Sequence, residues 1–303
     1  LGDGYEPPET PLTSATPGLP PASKWALHRL NTAVKTTVDA MEVYDFANAT
    51  TGVYAFWQYD VCDVFIELMK PVMNGTDEVA KKATRDTLWT CLDAGLRLLH
   101  PFMPFVTEEL WQRLPRRAAE TAPSIMVADY PAFTDDRTDN AVEESMAVAQ
   151  EIVKATRSLR AAYNLPPKTK AELFIVTRGD AATDAAKQFS AGIAALATCA
   201  KVDILSPDDA VPAGCGVTVI NESVSVYLML KGVVDPAAEI AKLEKKSAQT
   251  AKQIADLEKK MEMPGYAEKV PENVRADNTE KLAKLEAEVA TTAAAMEDFK
   301  KLI

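Results

Sequence analysis

The sequence predicts a mainly α protein: an antiparallel helical bundle, then a small α+β unit, then a C-terminal antiparallel coiled-coil hairpin. Three observations lead there. Large apolar residues recur at steps of three and four from residue 23 to Tyr163, the spacing of one helix face. Between Ala171 and Leu230 the period shortens to runs of β-branched residues. From Ile240 to Ile303 a heptad-like pattern returns on both sides of a Pro/Gly breaker. These changes divide the chain into a tether (1–22), the bundle (23–165), the α+β unit (166–236) and the arm (237–303).

Residues 1–22 hold six of the 19 prolines and few apolar partners, which suits an irregular tether. Ser23 is the expected N-cap of the first helix, with Leu27, Leu30, Val34, Val38 and Met41 on its buried face. A second helix is expected from Thr51 to Lys70, closed by Pro71 and the Asn74-Gly75 turn. The third runs from Asp77 to His100. Pro101 and Pro104 break the path, and Pro104 suits the first position of a fourth helix, whose first turn would hold Thr107, Glu108 and Glu109. Leu96, Leu99, Phe102, Phe105, Leu110, Trp111 and Leu114 form the densest apolar run and read as a buried elbow. Ser124–Pro131 reads as a short extended piece, and Asn140–Tyr163 as a long fifth helix.

Strands are expected at Ala171–Thr177, Lys201–Ser206, Gly216–Asn221 and Val224–Leu230, with a helix from Asp180 to Thr198. In the arm, Ile240, Leu243, Ser247, Thr250, Ile254, Leu257 and Met261 face Leu282, Leu285, Val289, Thr292, Met296, Phe299 and Ile303 across the breaker Met263–Val274. Pairing Met261 with Leu282 sets Thr250 near Thr292, leaving a polar middle layer.

The formal charge of -11 argues against a protein that coats nucleic acid along its whole surface. Its distribution is uneven: the arm is close to neutral and residues 1–236 carry nearly all the excess. Lys242, Lys245, Lys246, Lys252, Lys259 and Lys260 outnumber the acids of the first arm helix, as a phosphate-contacting stripe would, or as any solvated coiled-coil face does. Arg157, Arg160, Lys168 and Lys170 form a second basic group beside the stiff Pro166-Pro167 pair, placed to hold phosphates or, equally, to be a solvent-exposed helix end whose cations suit the dipole. Phe56, Trp57 and Tyr59 are candidates to stack on unpaired bases, with core packing as the alternative for at least one of the first two. Asp60 and Asp63 suit ion pairing better than base reading.

Cys62, Cys91, Cys199 and Cys215 have no metal-ligand spacing and read as reduced, packed thiols of an intracellular chain. No apolar run approaches a membrane span and no signal peptide is visible, so a soluble, cytoplasmic protein without membrane contact is expected. No catalytic residues or metal ligands are assigned: glycine-rich phosphate loops, metal clusters and nucleophile–base pairs are missing.

LRLLHPFMPFVTEELWQRLP (Leu96–Pro115) resembles the anticodon-binding domain of class I aminoacyl-tRNA synthetases of the valine, isoleucine and leucine group. KWALHRLN (Lys24–Asn31), FWQYDVCDVFIELMKPV (Phe56–Val72) and SLRAAYNLPPKTK (Ser158–Lys170) resemble the valyl-tRNA synthetase family in the same order, and RLPRR its eukaryotic cytosolic form. KGVVDPAAE (Lys231–Glu239) and the hairpin after it resemble that family's C-terminal arm, which fits the isoleucine and leucine enzymes less well.

The resemblance implies the tRNA-binding portion of a valine–tRNA ligase, with valine tRNA and the enzyme's catalytic domain as partners. The bundle would take the anticodon stem-loop and the arm the tRNA corner. ATP and magnesium would serve the complete enzyme. His28 and His100 lie far apart, and the family's lysine-rich catalytic loop has no counterpart, so this chain alone is expected not to activate valine. A free-standing tRNA-binding protein and a coiled-coil scaffold without an RNA role are the alternatives.

Overall fold

α1 (Pro21–Glu42) begins on proline, with Pro20 as its flanking residue. Ser23, the expected cap, is an interior residue whose buried hydroxyl has no partner. A first-turn proline has no N–H to leave unsatisfied and is already set at helical φ, so it opens the helix ahead of the serine. The structure, a computed structural model, describes residues 1–2, 4–233 and 236–262, and then the single positions 266, 271, 274, 275, 277–279, 281, 282, 285, 286, 289, 293, 296, 297 and 300.

The segment before α1 is irregular, but it lies on the bundle as a strap. Leu12 and Leu19 are buried beside Leu27. Tyr5 Oη donates to Asp86 Oδ1 at 2.9 Å, and Arg117 and Arg137 donate to the carbonyls of Pro8 and Leu12.

After a turn at Tyr44 (φ 60°), α2 (Phe46–Ala55) starts on the carboxylate of Asp45. The single helix expected to end at Lys70 is longer and changes its winding. α2 runs directly into a π-helical segment, Phe56–Phe65, and then into α3 (Ile66–Met73). Each π turn takes in one residue more than an α turn, so residues five apart become neighbours. Gln58 accordingly donates to Asp63 at 3.2 Å. Pro71 lies inside α3, in its last turn, where the Asn74 N–H closes onto the Lys70 carbonyl.

α4 (Glu78–Leu99) is capped by Asp77, which accepts from Val79 and Ala80 N–H. α5 (Pro104–Arg113) begins at Pro104 as expected. Only Thr107 and Trp111 of α5 are buried. Phe105 at 91% exposure and Leu110 at 47% leave the expected apolar elbow and face solvent. This short helix covers its neighbours with one face, so its other side stays bare. Ser124–Pro131 is not extended throughout: Ser124 caps a single 3-10 turn, Ile125–Val127.

α6 (Asn140–Ala162), capped by Asp139, packs on α1 and on the sheet. The α+β part comprises β1 (Ala171–Thr177), α7 (Asp180–Gln188), α8 (Ser190–Leu196), β2 (Cys199–Leu205), β3 (Cys215–Val219) and β4 (Val224–Met229). The helix expected over 180–198 is therefore two, joined at Phe189. Strand order is β2-β1-β4-β3, with β1 parallel to β2 and antiparallel to β4. β1 is central and buried at every position but Glu172, which accounts for its unbroken apolar run.

α3 meets α8 where Leu68 sits on Gly192, too close for any Cβ there. One hydrophobic core continues from Trp25 and Phe65 in the bundle to Leu173 and Val226 in the sheet.

α9 (Pro236–Met261) turns Leu243, Ser247, Ile254, Leu257 and Met261 partly inward and buries Thr250. Most of the breaker Met263–Val274 and much of the second heptad pattern, Thr292, Phe299 and Ile303 included, lie outside the described residues. Among the described residues the molecule is helix-rich with one small mixed sheet, and no helix is long and apolar enough to cross a membrane.

Candidate nucleic-acid interface

Lys245, Lys252 and Lys259 stand seven residues apart on α9. At 1.5 Å rise per residue they repeat every ~10.5 Å, and 3.6 residues per turn keeps them on one stripe opposite Leu243, Thr250 and Leu257. All three, and Lys260, are exposed. None of the four has an ion-pair partner among the described residues, whereas Lys35, Lys70, Lys81 and Lys82 each hold a carboxylate on their own helix. Their charge is therefore directed at solvent. The side chains of Lys242 and Lys246 lie outside the described residues.

The second basic group divides. Arg157 places Nε and Nη2 on the Leu196 carbonyl at 3.0 and 2.7 Å. Arg160, 8% exposed, donates to the carbonyls of Thr198 and Pro166. Both guanidiniums satisfy the orphan acceptors at the C-terminal end of α8, a favourable position for cations, and they hold α6 to the α+β part. Lys168 and Lys170 are exposed on the following turn.

The aromatic candidates are also redistributed. Phe56 is 1% exposed and offers no face to a base. Trp57 is half-buried, edge-on to Phe56 with centroids 6.1 Å apart, and donates Nε1 to the Gly95 carbonyl at 3.3 Å. Tyr59 is exposed and meets Tyr54 edge-on at 5.8 Å, a five-residue contact that the π winding creates. Sequence reasoning missed Tyr54, Tyr44 (80% exposed), Phe46 (54%) and Phe105. Tyr44 and Phe46 form an edge-on pair at the α1–α2 turn. The available signal was an aromatic on each side of the Asp45 cap. Asp60 belongs to an ion pair with Arg29 at 3.0 Å; burial raises its carboxyl above the ordinary value and the guanidinium offsets part of that rise.

Both histidines bond to neighbouring groups of the fold. His28 Nδ1 accepts from the Asp139 N–H at 3.1 Å, and His100 Nδ1 lies 2.7 Å from Thr107 Oγ. Among the described residues no group of three or more His, Cys, Asp or Glu side chains forms a metal cluster.

Residues 23–175 match the family described as the anticodon-binding domain of tRNA ligase, and residues 235–300 the one described as the valyl tRNA synthetase tRNA binding arm. The whole chain is 40% identical to the valine–tRNA ligase of Rattus norvegicus and 39% identical to that of Homo sapiens, spanning 24% of each. The valine–tRNA ligase of Geobacter sulfurreducens is 34% identical over 99% of this chain and 33% of its own length. The chain thus spans a quarter to a third of the relatives it resembles.

Proposed function

The chain belongs to the valyl-tRNA synthetase family of tRNA ligases, and on that footing we propose that it is the portion of a valine–tRNA ligase that grips tRNA. The observation that carries this is the exposed lysine ladder of α9, which lies within the stretch matching a tRNA binding arm. A row of cations on a projecting element of an acidic molecule recruits a phosphate backbone while the rest of the surface repels it.

In this reading the bundle (23–165) takes the anticodon stem-loop, the α+β unit (166–236) joins it to the arm, and the arm (237–303) lies along the tRNA corner. Tyr44, Phe46, Tyr54, Tyr59 and Phe105 are among the exposed rings and can stack on unpaired bases. The arm itself is an antiparallel coiled-coil hairpin. Two observations support this: Thr250 is buried on α9, and Lys300 is held above its ordinary value first by its bond to Glu297 and in smaller part by Glu244 on α9.

Valine activation with ATP and magnesium belongs to a catalytic domain of the same enzyme, which acts in the cytoplasm. By fixing the tRNA in one orientation, this grip lowers the entropic cost of reaction at the distant 3′ end. The test is binding of this chain to valine tRNA and to an anticodon-substituted form across a salt series. Affinity is expected to fall steeply with salt and to drop on substitution. A flat salt response, or equal affinity for the two RNAs, would overturn the respective part. Valine-dependent ATP–pyrophosphate exchange by the chain alone is expected to be absent.

A further inference from the structure

We propose that the cleft bounded by α4, the end of α5 and the 115–137 connection is a phosphate-binding site, in which Arg116, Arg117 and Arg137 hold the oxyanion above a floor of Trp89 and Trp111. The cleft measures about 440 Å3. Its lining includes none of the ladder lysines and none of Tyr44, Phe46, Tyr54, Tyr59 and Phe105.

The floor is rigid. Trp89 and Trp111 are 3% and 2% exposed, and their indole N–H groups are committed to the Pro115 carbonyl and Asp93 Oδ1, each at 2.8 Å. Arg117 stacks over Trp89 at 4.7 Å and Arg116 over Trp111 at 4.2 Å. A guanidinium stacked on a ring keeps its plane fixed; Arg116 gives Nη1 to the Ala122 carbonyl at 2.7 Å and Nη2 to Gln112 Oε1 at 2.6 Å, and its remaining N–H bonds are those left for an oxyanion.

The charge is unbalanced. Arg97 also lines the cleft, but Asp93 and Glu120 neutralise it at 3.2 and 2.6 Å. Arg117 and Arg137 each give Nε to a strap carbonyl, and neither has a carboxylate partner among the described residues. Burial holds both guanidiniums below their ordinary value, and Arg137 is pushed down further by Arg117. Asp129 is the third acid on the cleft wall, so four arginines stand against three carboxylates, an excess of one positive charge. Asp93 and Glu9 act on Arg117 and Asp136 on Arg137 without a direct ion pair, and a dianion with several acceptor oxygens relieves the cost of their burial better than a carboxylate at a distance does. The alternative duty of Arg117 and Arg137, clamping the strap, uses only one N–H of each.

The phosphate comes either from an RNA backbone or from a free phosphate-bearing molecule such as a nucleotide. The probe is inorganic pyrophosphate, titrated into the full 303-residue chain against sodium chloride of equal ionic strength, with tryptophan fluorescence and melting temperature as readouts. A saturable fluorescence change and a raised melting temperature are expected, with affinity about tenfold lower in each of Arg117→Gln and Arg137→Gln. If the phosphate belongs to RNA, tRNA competes with pyrophosphate and Arg117→Gln weakens tRNA binding. If it belongs to a free molecule, both bind together and tRNA affinity is unchanged in that variant. No saturable response of the wild-type chain, or undiminished pyrophosphate affinity in folded variants, would overturn the proposal. Should a variant fail to fold, the wild-type melting curve decides alone.

Discussion

The Trp57 indole lies on Gly95 so closely that a Cβ added there would stand 2.8 Å from Cζ2 and 3.1 Å from Cε2, and 3.2 Å from Cε1 of Phe56. The π-helical segment and α4 are thus joined through a position where only hydrogen fits. Gly95→Ala would gain up to about 1 kcal/mol of helix propensity but force two rigid rings apart, an overpacking that costs about 1–3 kcal/mol. Net destabilisation with altered Trp57 fluorescence is expected in urea unfolding. A stabilised variant would mean that the rings yield.

Replacing Lys245, Lys252 and Lys259 together with Gln should reduce the slope of log affinity for tRNA against log salt by about 2–3, at roughly 0.7–0.9 for each phosphate left without its cation. Helical content should not change, because the two residue types have similar helix propensity. Filter binding at several salt concentrations, with circular dichroism beside it, checks both halves.

Phe105→Ala and Phe56→Ala should behave oppositely. Phe105, bare on α5, should cost stability no more than about 0.5 kcal/mol, and tRNA affinity by about 1–3 kcal/mol if a base stacks on it. Phe56, 1% exposed, should cost about 3–5 kcal/mol of stability. Chemical denaturation and tRNA binding of the two variants separate these outcomes.

Glu120 should make the chain sensitive to acid. Burial alone would raise its carboxyl, but the Ala122 N–H, the hydrogen bond from Arg97 and the fields of Arg97 and Arg116 outweigh it and hold it below its ordinary 4.5. The unfolded chain therefore binds the proton more tightly than the folded one. The stabilisation is complete above the ordinary value and is lost as pH falls through the lower, folded one. Melting temperature against pH should show a steeper acid decline in wild type than in Glu120→Gln.

Thiol chemistry should separate the four cysteines. Cys91 and Cys199 are buried, and burial pushes their thiols up to about 12 and about 11. Cys62 is exposed. An aromatic disulfide reagent at mildly alkaline pH should modify Cys62 first and half-buried Cys215 more slowly, with the other two reacting only on unfolding. Peptide mapping of the labelled protein reads the order. Early labelling of Cys91 would contradict the closed core.

Features written locally in the chain were legible in it. The start of α4 at Asp77, Pro104 as a helix start, the seven residues of β1 and the inward face of α9 all follow from side-chain type and spacing. Features set by distant partners were not. The apolar spacing around Phe56–Phe65 is compatible with both α and π winding, so the change of period was invisible. Phe105 looked buried because sequence counts apolar residues and not the number of faces that a short helix has covered. Arg157 and Arg160 looked free because two of the carbonyls they bind, Leu196 and Thr198, lie at the end of α8 more than thirty residues along, and the third, Pro166, turns back from the loop before β1. The Trp/Arg cleft draws on Trp89, Trp111 and Arg137, whose separation follows no motif.

The wide coil between Phe56 and Phe65 sets the phase of everything after it. Deleting one residue there would let the backbone relax toward ordinary winding, and each residue in an α-helix accounts for about 100° of rotation. Leu68 would swing away from the notch at Gly192 and open the α3–α8 contact, leaving α6 to hold the sheet to the helices although no core side chain had been altered. Tolerance to length change in this stretch should therefore be far lower than tolerance to substitution.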